Sequence, residues 1–416
     1  MPAFWFAALA AYLLVLAAQF GLAFLNLAHL RREGANLPPA FAGQIDPERL
    51  GRAQAYAAEK IRFGFVSSGV NAAGALIFFF GGWLGVYAAW IRAWGLSFIP
   101  SGLAFFLILG WAGSALNLPL DWYRTFRLEH RYGFNTQSFV AWVSDGVKSW
   151  LLGTAMAAAL AGAGLWLVRS FPHTWWLWFW AVFMAFNLIL LVLSPAVLEP
   201  LFNTFTPLGD ASLADDLRGL AAKAGIRVER VVEMDASRRS RHSNAYFSGI
   251  GRVKRIVLFD TLLPNLARGE ILAVVAHEAG HWRLHHIRQR LLLTGAGSLA
   301  ILAAAYGLLR AGLPGAWFRL PAADFFAQAA LLGFLLSWLA FPLLPVFNGW
   351  SRHQERRADR FACALTGDPA ALAGALIKLA KDNLVNLHPH PWTAAFYYSH
   401  PPVVQRVAGL LAQGRT

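Results

Sequence analysis

The chain has 416 residues, of which 57% are apolar and only 14% charged, with a formal net charge of +14. Charged residues make up about a quarter of an ordinary soluble domain, so this composition argues against a soluble protein and for a membrane one. The positive charge is then expected at the cytoplasmic ends of membrane spans, and no nucleic-acid partner is expected. Cys363 is the only cysteine, which excludes an intrachain disulfide and a cysteine-based zinc cluster.

A bilayer-spanning helix needs about 20 apolar residues. Seven segments meet that length: 4–28, 65–91, 98–119, 150–168, 174–197, 290–311 and 324–347. The first has no basic flank before it and exceeds a signal-peptide core, so it reads as a retained span. Basic residues alternate between connections. The first connection carries Arg31, Arg32, Arg49, Arg52, Lys60 and Arg62, whereas the second has only Arg92. The third, the fifth and the tail are again basic, while the fourth and sixth are poor. The N-terminus is therefore expected outside and the C-terminus in the cytoplasm.

The expected fold is an all-α polytopic membrane protein with a small α+β cytoplasmic insert. Four regions are expected: spans one to five (1–197), the insert (198–276), a helix with spans six and seven (277–347), and a helical C-terminal region (348–416). In the insert, Ser212 is placed to cap a helix running ADDLRGLAAKA, which Gly225 would end. VERVVEMD and VKRIVLFD read as strands, and the glycines of SNAYFSGIGR between them suit a turn.

The chemistry concentrates in VVAHEAGHWRLHH, residues 274–286. His277-Glu278-Ala279-Gly280-His281 fits the H-E-x-x-H pattern. Residues four apart on a helix share a face, so both imidazoles can reach one zinc ion at about 2.0–2.1 Å. Glu278 projects beside them, where it can hold a water and take its proton. Gly280 weakens the helix by about 1 kcal/mol, which suggests close packing of another element there. If the helix continues, His285 sits about 12 Å along it from His277, too far to share the ion. His285 and His286 are therefore expected on a polar helix surface as bystanders. A third ligand is required, and Glu355 and Asp359 are four apart in NGWSRHQERRADRFACAL. Glu355 can supply the oxygen and Asp359 can hold a ligand imidazole in one tautomer. Equally, both carboxylates can simply pair with Arg356, Arg357 and Arg360.

At this point the chain resembles the type I CAAX prenyl proteases, seven-span membrane zinc metallopeptidases, and their bacterial relatives. The similarity runs through LPLDWYRTFRLEHRYGFNTQS, SPAVLEPLFNTFTPL, MDASRRSRHSNAYFSGIGRVKRIVLFDTLL, VVAHEAGHW, ERRADRFA and YYSHPPVVQR, in that order. The resemblance implies a ring of seven helices around an intramembrane chamber and one Zn2+ per chain. It implies His277, His281 and Glu355 as metal ligands, Glu278 as general base and Asp359 as the aspartate behind them. It further implies His400 near the scissile peptide as a catalytic group, with Arg406 and Asn244 as substrate-binding residues. Read from its residues alone, His400 before two prolines could be only a turn residue.

The expected function is hydrolysis of peptide bonds in a peptide or protein substrate, held extended by NAYF as an edge strand, and the resemblance implies prenylation of that substrate at a C-terminal CAAX motif. The alternatives are membrane-protein quality control on unprenylated chains and, from another class, a transporter or channel with structural zinc. The Arg-rich, Lys-poor composition points to a bacterial inner membrane, with the endoplasmic reticulum as the alternative.

Overall fold

The computed structural model describes residues 3–249, 253–321 and 324–414. In chain order, α1 (Ala3–Glu33) is followed by α2 (Pro47–Ala75) and α3 (Trp83–Arg92). Next come α4 (Phe98–Tyr123), α5 (Phe139–Ser170), α6 (Trp175–Leu193) and the short α7 (Glu199–Phe202). The insert holds β1 (Phe205–Pro207), α8 (Ala211–Lys223), β2 (Arg227–Met234), β3 (Ala245–Ser248) and β4 (Val253–Phe259). The remainder is helical: α9 (Arg268–Arg283), α10 (His286–Arg310), α11 (Leu313–Phe318), α12 (Phe325–Leu339), α13 (Leu344–Thr366), α14 (Pro369–Asp382), α15 (Pro391–Tyr397) and α16 (Val403–Gln413).

Among the described residues, seven helices are long and apolar enough to cross a membrane, the number expected. Their ends differ from the hydropathy windows. The second runs Pro47–Phe80 and stops at Gly81-Gly82, so the 65–91 window straddles a break. Gly82 is left-handed at φ +86°, and a side chain on Gly81 would meet the Ile77 carbonyl. The third continues past Pro119 through a π-helical turn at Arg124–Glu129. The seventh is interrupted at Phe341–Leu343, where Pro342, followed by Pro345 at the start of α13, denies the backbone a donor. The fifth membrane-length helix is the most apolar, and α6 within it buries no residue inside the chain. That surface is suited to lipid.

The insert contains a four-stranded sheet of order β1-β2-β4-β3. The two longest strands, β2 and β4, are those expected, and they pair in parallel. β3 pairs antiparallel with β4, with Ala245 opposite Leu258 and Phe247 opposite Ile256, and forms one edge of the sheet. NAYF was expected as an edge strand, and its Ala245–Phe247 part lies in the edge strand β3, whereas the short β1 had no clear sequence signature. Residues 250–252 of the expected turn lie outside the described residues. The cap of α8 is Asp210, which accepts from the Leu213 N–H at 2.9 Å, and not Ser212. Ser212 instead accepts from Arg268 at 2.7 Å. Gly225 follows the helix at φ +73°, as expected.

The two largest of the four hydrophobic cores among the described residues hold the insert and the spans. One joins the insert to α9, α14 and α16, with Leu217, Ile256, Leu258, Leu372 and Leu410 fully buried. The other lies among the membrane helices around Leu84, Phe105 and Leu331. Polar ties fix the insert to the spans. Arg239 pairs with Asp145 of α5 at 2.7 Å, and Arg255 pairs with Glu199 of α7 at 2.6 Å.

Candidate active site

Helix α9 begins where the Ala267 N–H donates to the Glu270 carboxylate at 2.7 Å. Lys378 of α14 pairs with the same carboxylate at 2.7 Å, which anchors this helix start to the core. One face of α9 packs directly on α13. The crossing is at Gly280, where an added Cβ would lie 3.1 Å from the Ala358 Cα. The close packing suggested by this glycine is therefore present, and it places the His277/His281 face against the Glu355/Asp359 face.

Three ligand-type side chains converge across that contact: His277, His281 and Glu355. The two Nε2 atoms are 3.2 Å apart. Glu355 Oε2 is 3.3 Å from His277 Nε2, and Oε1 is 3.4 Å from His281 Nε2. Metal bonds of about 2.0–2.1 Å in tetrahedral geometry put ligand atoms about 3.3 Å apart, so the spacing suits one zinc-sized ion. Two imidazole nitrogens and a carboxylate oxygen within 4.8 Å of one another form a donor set that suits one metal ion.

The outer contacts are continuous. His277 Nδ1 is 2.8 Å from Asp359 Oδ1. Arg406 grips Asp359 with two bonds, Nη2 to Oδ1 at 2.6 Å and Nε to Oδ2 at 2.9 Å. Arg406 therefore reaches the site through Asp359; it also lines a cleft shared with Tyr398 and His400. His400 Nδ1 lies 2.7 Å from Glu355 Oε2, with its side chain 60% exposed and so open to that cleft. Asn244 is exposed at the head of β3, and its side-chain oxygen accepts from the Ala245 N–H at 2.9 Å. β3 itself lies alongside α9.

Burial opposes charge on His277, but Asp359 and Glu355 outweigh it and hold the imidazole up at about 9. Burial pushes His281 down to about 3, with the charge of His277 adding to the effect. Burial also raises the Glu278 carboxyl above its ordinary range, although His277 pulls the other way. Among the described residues no hydrogen bond or ion pair engages Glu278, so its carboxylate is uncommitted.

Two residues near the site were not anticipated. Arg352 donates to the carbonyls of Ala394, Ala395 and Tyr398 at 2.9, 3.1 and 2.7 Å, holding the segment that carries His400. His286, expected on a polar surface, is instead 1% exposed, with Nδ1 2.9 Å from His281 Nδ1. The expectation failed because α9 ends at Arg283 and the chain turns back at His285, which sits at φ 58°. His285 itself is exposed.

Seven helices of membrane-spanning length and an H-E-x-x-H helix facing Glu355, which completes a His-His-Glu donor set, define a membrane metallopeptidase. The known proteins agree. Residues 26–204 match the family of the CAAX prenyl protease N-terminal region with five membrane helices, and residues 207–413 match peptidase family M48. The chain is 32% identical to the CAAX prenyl protease 1 homolog of Arabidopsis thaliana, covering 90% of each chain. It is 30% identical to CAAX prenyl protease 1 of Saccharomyces cerevisiae, covering 90% of this chain and 88% of that one. An uncharacterized metalloprotease of Bacillus subtilis, YhfN, is 31% identical over 73% of this chain and 72% of its own. The crystal structure of S. mikatae Ste24p superposes with a TM-score of 0.90 at 27% identity, over 99% of both chains. The chain belongs to the CAAX prenyl protease 1 (Ste24) family of M48 metalloproteases.

Proposed function

We propose that this protein cleaves extended peptides at its membrane boundary, with zinc held by His277, His281 and Glu355 and with Glu278 as the general base. The observation that carries this reading is the uncommitted Glu278 carboxylate beside three donor atoms at tetrahedral spacing. When bound, zinc supplies a Lewis acid that polarises a carbonyl and lowers the pKa of a coordinated water toward about 7. Glu278 takes the proton as water attacks the scissile carbonyl, then passes it to the leaving amine. His400, open to the cleft, donates to the developing oxyanion. Asp359, gripped by Arg406, holds His277 so that Nε2 faces the metal. Substrate adds to the edge of β3 by backbone hydrogen bonds, starting at Asn244, and passes Arg406 in the cleft that it shares with His400.

The relatives' names support a substrate ending in a CAAX motif. The family fold supports an intramembrane chamber enclosing the site, with the basic connections and the C-terminus on the cytoplasmic side. The bacterial inner membrane is the proposed location. The test compares matched prenylated and unprenylated peptides with wild type and Glu278→Gln. Faster cleavage of the prenylated peptide by wild type alone supports the reading. Equal rates on both would favour quality control, and absence of zinc-dependent cleavage would remove the peptidase assignment.

A further inference from the structure

We infer that His286 is a positioning residue for the metal centre: it accepts the Nδ1–H of His281 and so fixes which nitrogen of His281 faces the ion. This rests on the proposed ligand role of His281. If His281 Nε2 gives its lone pair to the ion, its proton must sit on Nδ1. The atom facing that proton is His286 Nδ1, at 2.9 Å. Two imidazoles this close need one donor and one acceptor, so His286 must present a bare Nδ1 and carry its own proton on Nε2.

Three observations show that this contact is built. The first is the backbone. A helix continuing through Leu284 and His285 would carry residue 286 away from His281. Instead His285 adopts φ 58° and ψ 32°, a conformation unfavourable for a residue with a Cβ, and α10 starts at His286. The second is the anchoring of that first turn. Gln289 accepts from Gln354 of α13 at 2.9 Å, and Arg290 donates to Gln354 at 3.3 Å and to Ser351 at 3.4 Å. The helix bearing His286 is thus pinned to the helix bearing Glu355. The third is a cost accepted elsewhere. Among the described residues His286 Nε2 is buried with no partner, and buried polar atoms rarely go unpaired without a reason. The acceptor role of Nδ1 is that reason. His281 therefore has a neutral ring behind it where His277 has a carboxylate, so the two histidine ligands differ in basicity.

The test uses full-length protein in detergent and measures zinc affinity by competition with a chelator. His286→Leu fills the space but cannot accept, and it should weaken zinc binding by about 10–100-fold. His286→Asn offers its side-chain oxygen at a similar place and should recover part of that loss. The visible spectrum of the cobalt-substituted protein should change in His286→Leu and return toward wild type in His286→Asn. The turn gives a second test that leaves no cavity. His285→Gly should keep zinc affinity, while the β-branched His285→Val should lower it by disturbing the turn. Wild-type affinity in folded His286→Leu, or equal losses in Leu and Asn, would overturn the inference while leaving zinc in wild type. A wild type that binds no zinc at all would instead remove the metallopeptidase reading on which it rests.

Discussion

Glu278 and its neighbours divide into groups that hold a metal and groups that handle a proton, and single substitutions should separate them. Glu278→Gln keeps the shape but loses the base, so cleavage should fall by about 10²–10⁴-fold. Zinc content, read by metal analysis, should stay at one per chain. Glu355→Ala should lose the metal with the activity, and unchanged metal content would exclude Glu355 as a ligand. Asp359→Ala frees His277 and strands Arg406, and should cost about 10–100-fold in zinc affinity. Burial raises the Glu278 carboxyl, and the raised group acts as a base only while ionised. As pH falls through its pKa the carboxylate is protonated and the rate drops. At saturating zinc, the acid limb of kcat/KM should lie above the ordinary glutamate value of 4.5. A limb below it would show that burial does not govern this group.

At the scale of elements, the site depends on how α9 crosses α13 and how the His400 segment is held. Gly280 faces the Ala358 backbone, which cannot rotate aside as a side chain could. Gly280→Leu should therefore force the helices apart, cost about 1–3 kcal/mol and lower both the melting temperature and zinc affinity. Arg352→Ala should release the carbonyls of Ala394, Ala395 and Tyr398 and lower kcat while zinc content stays unchanged. Equal loss of metal would mean that Arg352 supports the ligands themselves. The elements also show what the sequence could reveal. His277, His281, Glu355 and Asp359 were legible because four-residue spacing on a helix places side chains on one face. The contact between the two helices was implied by Glu355 as a third ligand, and Gly280 marked a place where some element packs close. His286 was hidden because the end of α9 at Arg283 and the turn at His285 carry no glycine or proline to mark them. Strand β1 was hard to read because it has three residues and its pairing depends on a partner distant in sequence. Hydropathy found the second span but not its end, since Gly81-Gly82 changes the average little while it stops the helix.

For the whole molecule, an odd number of spans puts the two ends on opposite sides of the membrane. The lone cysteine makes this measurable, because Cys363→Ala gives a cysteine-free background. Single cysteines placed in the second and sixth connections should react with an impermeant thiol reagent from outside. Those in the insert should react only after the membrane is opened. Labelling of both sets from one side would contradict seven crossings or the charge-based orientation. The same layout explains how a polar site coexists with so oily a chain. α9 and α13 meet beside the insert core, and the proposed place of the site at the membrane boundary would spare its charged groups the cost of the hydrocarbon centre. The central claim is that one metal and one glutamate base together cleave peptide bonds. Its most direct test measures zinc stoichiometry and peptide cleavage in parallel on wild type and Glu278→Gln. One zinc per chain in both, with cleavage in wild type alone and lost on chelation, is the predicted result. Cleavage by zinc-loaded Glu278→Gln at the wild-type rate would contradict it.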